Sequence, residues 1–382
     1  MTTAALTMKP TLAEFPAYQR LPLDVAGAQG CEILLRDGSR LLDLYGGHCV
    51  NTLGAGDAAL GAVIERQWKN LSFATNLLDH EPRRQFMAAF ERNLPAGSWQ
   101  VFCSNSGAEA NENALKLALK ATGRTRVVAF RGAFHGRTAG AGAVTDGKQW
   151  CAPPFEVARA AWGSVAEVNE LTAAVILEPI QSLAGVVDPP AGFLAALRAA
   201  CDTHGALLIF DEVQTGNGRL GTPWAAPFYG VIPDIFTTAK GAGGGLPVGL
   251  TVARASAISQ VPGNALGSTF GGGPLVLAAA AHVSQRIAAP GFLENVRATS
   301  AVLARSAGIG PVLRVRGAGL LLGLELRPGV TASALRNALL AHGILAGTCD
   351  DPQVLRLCPS LTLTPLQAQR LPEVLADPKL LP

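Results

Sequence analysis

What this chain of 382 residues lacks narrows its function quickly. It has no block of like charge: 31 Lys and Arg against 28 Asp and Glu leave a net charge of +3, spread along the sequence. Binding to nucleic acid or to an anionic membrane surface calls for a clustered basic run, and the sequence contains none. No apolar stretch reaches the roughly 18 residues of a membrane span. No charged region precedes an apolar one at the N-terminus, so a secretory signal is not expected. The seven cysteines are an odd number and form no CxxC pair. That argues against a disulfide framework and for reduced thiols in a cytoplasmic protein. No internal repeat is visible.

What is present suits a large folded enzyme. The chain is 49% hydrophobic and 15% charged, enough for a large core, and its length suggests two or three domains. Its 43 glycines sit at the ends of apolar runs, where turns belong. Residues 1 to 25, with Pro10, Pro16 and Pro22, read as irregular. A hairpin is expected over 32–44, turning at Asp37-Gly38. Helical patterns cover 57–70 and 81–93. From residue 100, apolar runs at 100–104, 126–131, 173–180, 206–213, 235–238 and 248–253 alternate with helical segments such as 108–121 and 193–204. This alternation predicts an α/β domain with a mainly parallel sheet. Beyond 275, a helix over 275–288, strands at 312–317, 319–326 and 354–358 and a helix over 332–342 predict a smaller α+β domain.

Polar groups close several of the hydrophobic runs. One run ends in Asp211, and the next ends in Lys240 beside Gly241. A lysine and an acid in this arrangement suit a pyridoxal phosphate site, the lysine forming the Schiff base and the acid keeping the pyridinium nitrogen protonated. Ser106, Gly107 and Ala108 lie between a strand and a helix, where backbone N–H groups and the helix dipole favour a phosphate. An ordinary strand–turn–helix with a serine cap would look the same. Phe134, after another strand, could lie flat on a cofactor ring or be a core residue, and His135 a satisfied one. Glu178-Pro179-Ile180-Gln181 follows a fourth run, and the edge where such runs end is where α/β sheets bind ligands. Residues 266–274, rich in glycine and hydroxyls, read either as an anion-donating loop or as a flexible one. Arg356, alone among apolar residues, either meets an anion such as a substrate carboxylate or lies in solvent on an edge strand. The Tyr45-Gly46-Gly47-His48-Cys49-Val50 stretch hints at a specialised pocket, but His48 and Cys49 read as easily as packing residues.

Over nearly its whole length the chain resembles the class III, fold type I aminotransferases, above all the acetylornithine and ornithine group. The resemblance rests on Ser104-Asn105-Ser106-Gly107-Ala108-Glu109-Ala110-Asn111-Glu112, Phe134-His135-Gly136-Arg137-Thr138, Glu178-Pro179-Ile180-Gln181, Phe210-Asp211-Glu212-Val213-Gln214-Thr215-Gly216, Ala239-Lys240-Gly241 and Gly267-Ser268-Thr269-Phe270-Gly271-Gly272. It implies an α/β large domain with a mainly parallel seven-stranded sheet over residues 56–275. A smaller α+β domain would be built from 276–382 and part of 1–55. It implies that Lys240 carries pyridoxal phosphate, that Asp211 pairs with the ring nitrogen, that Val213 packs under the ring and that Gln214 lies near the phenolic oxygen. Ser106, Gly107 and Ala108 would hold the phosphate, and Phe134 would stack on the ring. Thr269 would reach the phosphate of the other subunit in a homodimer. Arg137 and Ser268 match substrate-contacting positions, and Arg356 matches the arginine that grips the α-carboxylate of glutamate.

The chain departs from the pattern in one telling place. Ser182-Leu183 follows Gln181 where Gly-Glu is usual, so the acid that pairs with the carboxylate-binding arginine is missing. Gly273 also stands for an asparagine, and Gly54-Ala55-Gly56-Asp57 lacks the usual Gly-His. The resemblance implies transamination from an ω-amino acid such as N-acetylornithine to 2-oxoglutarate by a ping-pong route. The alternatives are a broad ω-amine or diamine transaminase, an aminomutase, or a non-catalytic cofactor-binding relative.

Overall fold

The structure is a computed structural model that describes residues 12–380. Pro10 and the rest of the first eleven residues lie outside it. The central sheet has seven strands in the order Trp99–Ser104, Gly249–Arg254, Ile235–Thr238, Leu207–Asp211, Thr172–Leu177, Arg126–Phe130 and Glu156–Ala160. Gly249–Arg254 is antiparallel to both of its neighbours. The remaining pairs are parallel. Trp99–Ser104 therefore points the same way as the parallel strands, and their carboxyl ends share one edge.

Period-two side-chain alternation gives this sheet two buried faces. Val127, Ala129, Ile176 and Ile209 pack under Ala114, Leu115 and Ala118 of the helix Gly107–Thr122. Their chain neighbours Val128, Phe130, Val175, Leu177, Leu208 and Phe210 pack on the other face against Phe86 and Phe90 of Glu81–Glu91 and Leu197 and Cys201 of Phe193–His204. Every residue of Thr172–Leu177 is buried. The expected run over 173–180 thus ends earlier as a strand, and Glu178 to Gln181 form the loop beyond it. The edge strand Glu156–Ala160 escapes sequence reading, because Glu-Val-Ala-Arg-Ala has low strand propensity and owes its form to pairing with Arg126–Phe130.

A separate core joins the two ends of the chain. Val25–Gln29, Glu32–Leu35 and Arg40–Asp43 form a meander, and Ile344–Leu345 adds to it in parallel. A second sheet has the order Val312–Ala318, Leu321–Leu326, Val354–Leu357, Gly347–Thr348. Leu42, Leu44 and Leu53 from the first part share one cluster with Leu322, Leu324, Leu335 and Leu355. The helix Pro274–Ile287 serves both cores: Leu277 and Ala281 face the large sheet, and Val283 and Ile287 face this cluster. No helix among the described residues is long and apolar enough to cross a membrane.

Two sites where the fold leaves no slack yield predictions. Gly249 pairs with Ser104, and a Cβ there would lie 2.6 Å from Ser104 Oγ and overlap the Ser106 carbonyl. Gly249→Ala is expected to lower stability by about 1–3 kcal/mol in denaturant unfolding, as overpacking does. Glu212 is fully buried, accepts from Ala225 N at 2.6 Å and Thr215 Oγ1 at 3.3 Å, and has its carboxyl pushed up to about 8 by burial. An unfolded glutamate ionises near 4.5. Between those values the native state holds a proton that the unfolded chain has released, so stability falls as pH rises from about 4.5 to about 8. Glu212→Gln is expected to flatten the fall of the melting temperature across that window, and an unchanged slope would show that other groups set it.

Candidate active site

The carboxyl edge of the large sheet opens into a cavity of about 490 Å³. Asp211 closes its strand there and is only 4% exposed. Its Oδ2 accepts from Asn111 Nδ2 at 2.7 Å and from His135 Nδ1 at 2.8 Å, and its Oδ1 accepts from Val213 N at 3.0 Å. Asn111 is itself oriented: it accepts from Thr237 Oγ1 at 2.6 Å and donates to the His135 carbonyl at 2.8 Å. Lys240 lines the same cavity and begins the short 3-10 turn Lys240–Gly243 with φ at 38°, a sparsely populated value for a residue with a side chain. The Thr52 hydroxyl holds the next turn by donating to the Gly241 carbonyl at 3.0 Å. Among the described residues the Lys240 amine has no hydrogen-bond or ion-pair partner.

A cradle of backbone N–H groups at a helix N-terminus lines the same cavity as the lysine. Ser106 caps the helix Gly107–Thr122 through its Oγ, which accepts from Glu109 N at 3.2 Å. The N–H groups of Gly107 and Ala108 belong to the first turn, where no carbonyl of the helix can answer them. Gly107 packs tightly: a Cβ there would lie 3.0 Å from Val213 Cγ2, so the valine would have to give way. Gly136 abuts Ala108, where a Cβ would lie 2.7 Å away. The loop carrying Phe134 and Arg137 is pinned from this helix. Glu112 accepts from Gly140 N at 3.0 Å and Ala141 N at 2.6 Å, and from Thr138 Oγ1 at 3.2 Å. The Arg137 guanidinium lies 5.0 Å from the Phe134 ring centre. Phe134 N donates to Glu178 Oε1 at 3.0 Å, and Ser182 N to Glu178 Oε2 at 3.2 Å. Burial pushes the Glu178 carboxyl up to about 7, with the Asp211 charge adding to that and His135 opposing it.

Ser106, Gly107, Ala108, Phe134, Arg137, Asp211, Val213, Gln214 and Lys240, each singled out from sequence, line this one cavity. Arg356 stands just beyond it. Its strand is flanked on both sides by other strands, so the solvent-exposed edge reading fails, and the residue is 1% exposed. Nη1 donates to Ser182 Oγ at 3.0 Å and, at 3.5 Å, to Gln214 Oε1. Nη2 donates to Tyr45 Oη at 2.9 Å. The hydroxyl of Ser182 also donates to Gln214 Oε1 at 2.9 Å. Arg356 thus has two hydroxyls and an amide oxygen, and no carboxylate among the described residues. Ser268 accepts from Asn105 Nδ2 at 3.4 Å and Gly271 N at 2.9 Å, beside the cradle. Thr269 is exposed and does not line the cavity.

Sequence reading left Asn111, His135, Glu112, Tyr45 and Ser182 without roles. Asn111 carried a signal: it is a polar residue one turn after Gly107 on the helix face that meets the sheet. Tyr45 and Ser182 lie 137 positions apart, and nothing in the sequence pointed to their meeting at Arg356.

Comparison with known proteins agrees with this geometry. The family model for class III aminotransferases matches residues 15–377. The acetylornithine aminotransferase of Streptomyces coelicolor is 44% identical over 358 residues, 90% of this chain and 87% of that protein. The mitochondrial acetylornithine aminotransferase of Alnus glutinosa is 38% identical over 94% of this chain and 84% of its own length. Among solved structures, the N-acetylornithine aminotransferase of Stenotrophomonas maltophilia superposes with a TM-score of 0.80 at 30% identity, covering 94% of this chain and 96% of that one. The ornithine aminotransferase of Toxoplasma gondii shares the fold, with a TM-score of 0.85 at 24% identity over 94% of this chain and 90% of that one. A sheet edge that brings a lysine, a buried acid and a helix N-terminus around one cavity therefore has a family: the chain belongs to the class III aminotransferases and is a pyridoxal phosphate-dependent transaminase.

Proposed function

We propose that the amino group transferred by this enzyme comes from an ω-amino acid, N-acetylornithine in particular, and passes to 2-oxoglutarate in two half-reactions at one site. The observation that carries this reading is Arg356. It is a fully buried cation beside the cavity whose partners are all neutral. A substrate carboxylate supplies the charge it lacks, and both glutamate and 2-oxoglutarate present one.

The residues fit the cofactor. The cavity has the size of a small-molecule site, the cradle offers unanswered N–H groups, and a hydrogen-bonded acid lies buried opposite. Pyridoxal phosphate, when bound, supplies an aldehyde for reversible capture of the amino group and a ring that withdraws electrons from the adjacent carbon. On this reading Lys240 holds the cofactor through Nζ and then moves a proton at the amine-bearing carbon of the substrate. Asp211, fixed by Asn111 and His135, faces the ring nitrogen and keeps it protonated. Ser106, Gly107 and Ala108 bind the phosphate. Phe134 and Val213 enclose the ring, and Gln214 lies at its phenolic oxygen. Arg137 and Ser268 contact substrate, and Arg356 orients its carboxylate. Thr269, exposed and outside the cavity of its own chain, is assigned to the phosphate of the second subunit in a homodimer.

A single-turnover assay without any oxo-acid tests the reading. Glutamate, N-acetylornithine, ornithine and 4-aminobutyrate are added separately, and the absorbance of the cofactor is followed from its aldehyde to its amine form. Glutamate and N-acetylornithine are expected to convert it. Conversion by diamines as well would point to a broad ω-amine transaminase, and isomerised product without an acceptor to an aminomutase. Lys240→Ala is expected to lose turnover and to leave no cofactor bound to protein after borohydride reduction, and full turnover in that variant would remove Lys240 from the mechanism.

A further inference from the structure

Two acids line the cavity, and the proposed chemistry uses one of them, Asp211. The other is Glu178. It directly follows the strand Thr172–Leu177 and is buried. A carboxyl in such a place is costly unless donors reach it. Its donors among the described residues are two backbone N–H groups, Phe134 N at 3.0 Å from Oε1 and Ser182 N at 3.2 Å from Oε2. Each oxygen thus takes one donor.

The two donors belong to different walls of the site. Phe134 lies on the loop after Arg126–Phe130, the strand that pairs in parallel with Thr172–Leu177. It is the residue assigned above to the cofactor ring. Ser182 lies on the loop after Thr172–Leu177 itself. Its hydroxyl accepts from Arg356 Nη1 at 3.0 Å and donates to Gln214 Oε1 at 2.9 Å. Where the Ser182 N–H is held therefore decides where this hydroxyl stands. A second bond ties the same two loops, from Gln181 Nε2 to the Arg131 carbonyl at 2.8 Å. The path from Phe134 through the Glu178 carboxyl and Ser182 to Arg356 is continuous.

We propose that Glu178 is a positioning residue of the transaminase: its one carboxyl sets both the Phe134 wall of the cofactor and the Ser182 hydroxyl that aims Arg356, so that cofactor seating and substrate-carboxylate binding are coupled. The coupling follows from the number of acceptors. A carboxylate offers two oxygens to two N–H groups. A side chain with one acceptor must release one wall, and a side chain with none releases both. A released N–H that stays buried is left unsatisfied, which is unfavourable. The inference rests on the roles proposed above for Phe134 and Arg356.

The test is a double-mutant cycle. Glu178→Met keeps the length of the side chain and removes both acceptors, and Glu178→Gln keeps one. Each is made alone and together with Ser182→Ala, which removes the hydroxyl and leaves the backbone N–H. On cofactor-loaded protein, KM and kcat for glutamate are measured beside the rate of cofactor loss on dialysis, and the visible circular dichroism of the bound cofactor records its seating. Glu178→Met is expected to raise the KM for glutamate about tenfold and to speed cofactor loss, and Glu178→Gln to have a smaller effect. In the Ser182→Ala background the effect on KM is expected to vanish while the effect on cofactor loss persists, because residues acting through one network are not additive and independent ones are. Equal increases in KM with and without the Ser182 hydroxyl overturn the proposal, as does a Glu178→Met enzyme with unchanged KM or unchanged cofactor loss. If the methionine variant does not fold, the glutamine variant carries the same comparison. Failure of the cycle alone leaves the proposed function standing. A wild type whose cofactor glutamate does not convert overturns the role given to Arg356, and this proposal with it.

Discussion

A carboxylate buried at the end of a hydrophobic strand is expensive unless donors surround it, and much of this structure is arranged to surround Asp211. Asn111 and His135 reach its Oδ2 from a helix and a loop that belong to different parts of the sequence. Asn111 also binds the His135 carbonyl and Thr237, so one amide ties the helix, the loop and two adjacent strands together. The same helix carries Gly107 and Ala108 at its start and Glu112 one turn on, which grips the loop after Arg137. Fixing the acid therefore also fixes the start of this helix and the Phe134 loop. The remaining contact, from Val213 N to Oδ1, sets the first residue that covers the cavity floor.

A second buried charge stands on the far side. Arg356 comes from the small C-terminal sheet, yet its partners Ser182 and Gln214 come from loops of the large one and Tyr45 from the N-terminal meander. Three parts of the fold meet at this guanidinium. On our proposal the neutral character of its partners matters for function. A carboxylate beside Arg356 would have to be displaced before a substrate carboxylate could bind, whereas hydroxyls can share the cation with it.

Much of this was legible in advance. The strands Ile235–Thr238 and Arg126–Phe130, the helix Phe193–His204 and the hairpin at Asp37-Gly38 follow from uninterrupted apolar runs and strong turn residues. The residues lining the cavity were legible because each closes a strand or opens a helix, positions that an α/β sheet gathers along one edge. Glu156–Ala160 was not legible, because its residues have little preference for a strand until Arg126–Phe130 pairs with them. Arg356 was ambiguous, because a single strand does not reveal whether it lies at an edge. Leu183 marked a missing acid, but nothing nearby in the chain indicated that Arg356 would meet the hydroxyls of Ser182 and Tyr45.

Local chemistry, then, was determined by the sequence alone: which segments become strands, which glycines open the cradle, which acid and which lysine end adjacent strands of one sheet. These depend on side-chain periodicity and steric preference over a few residues. Only the tertiary structure decided how the charges are answered. The side-chain partners of Asp211 lie 76 and 100 positions away in sequence, and those of Arg356 lie 142, 174 and 311 positions away. Hydrogen bonds act over about 3 Å in space, and folding alone brings such distant residues that close.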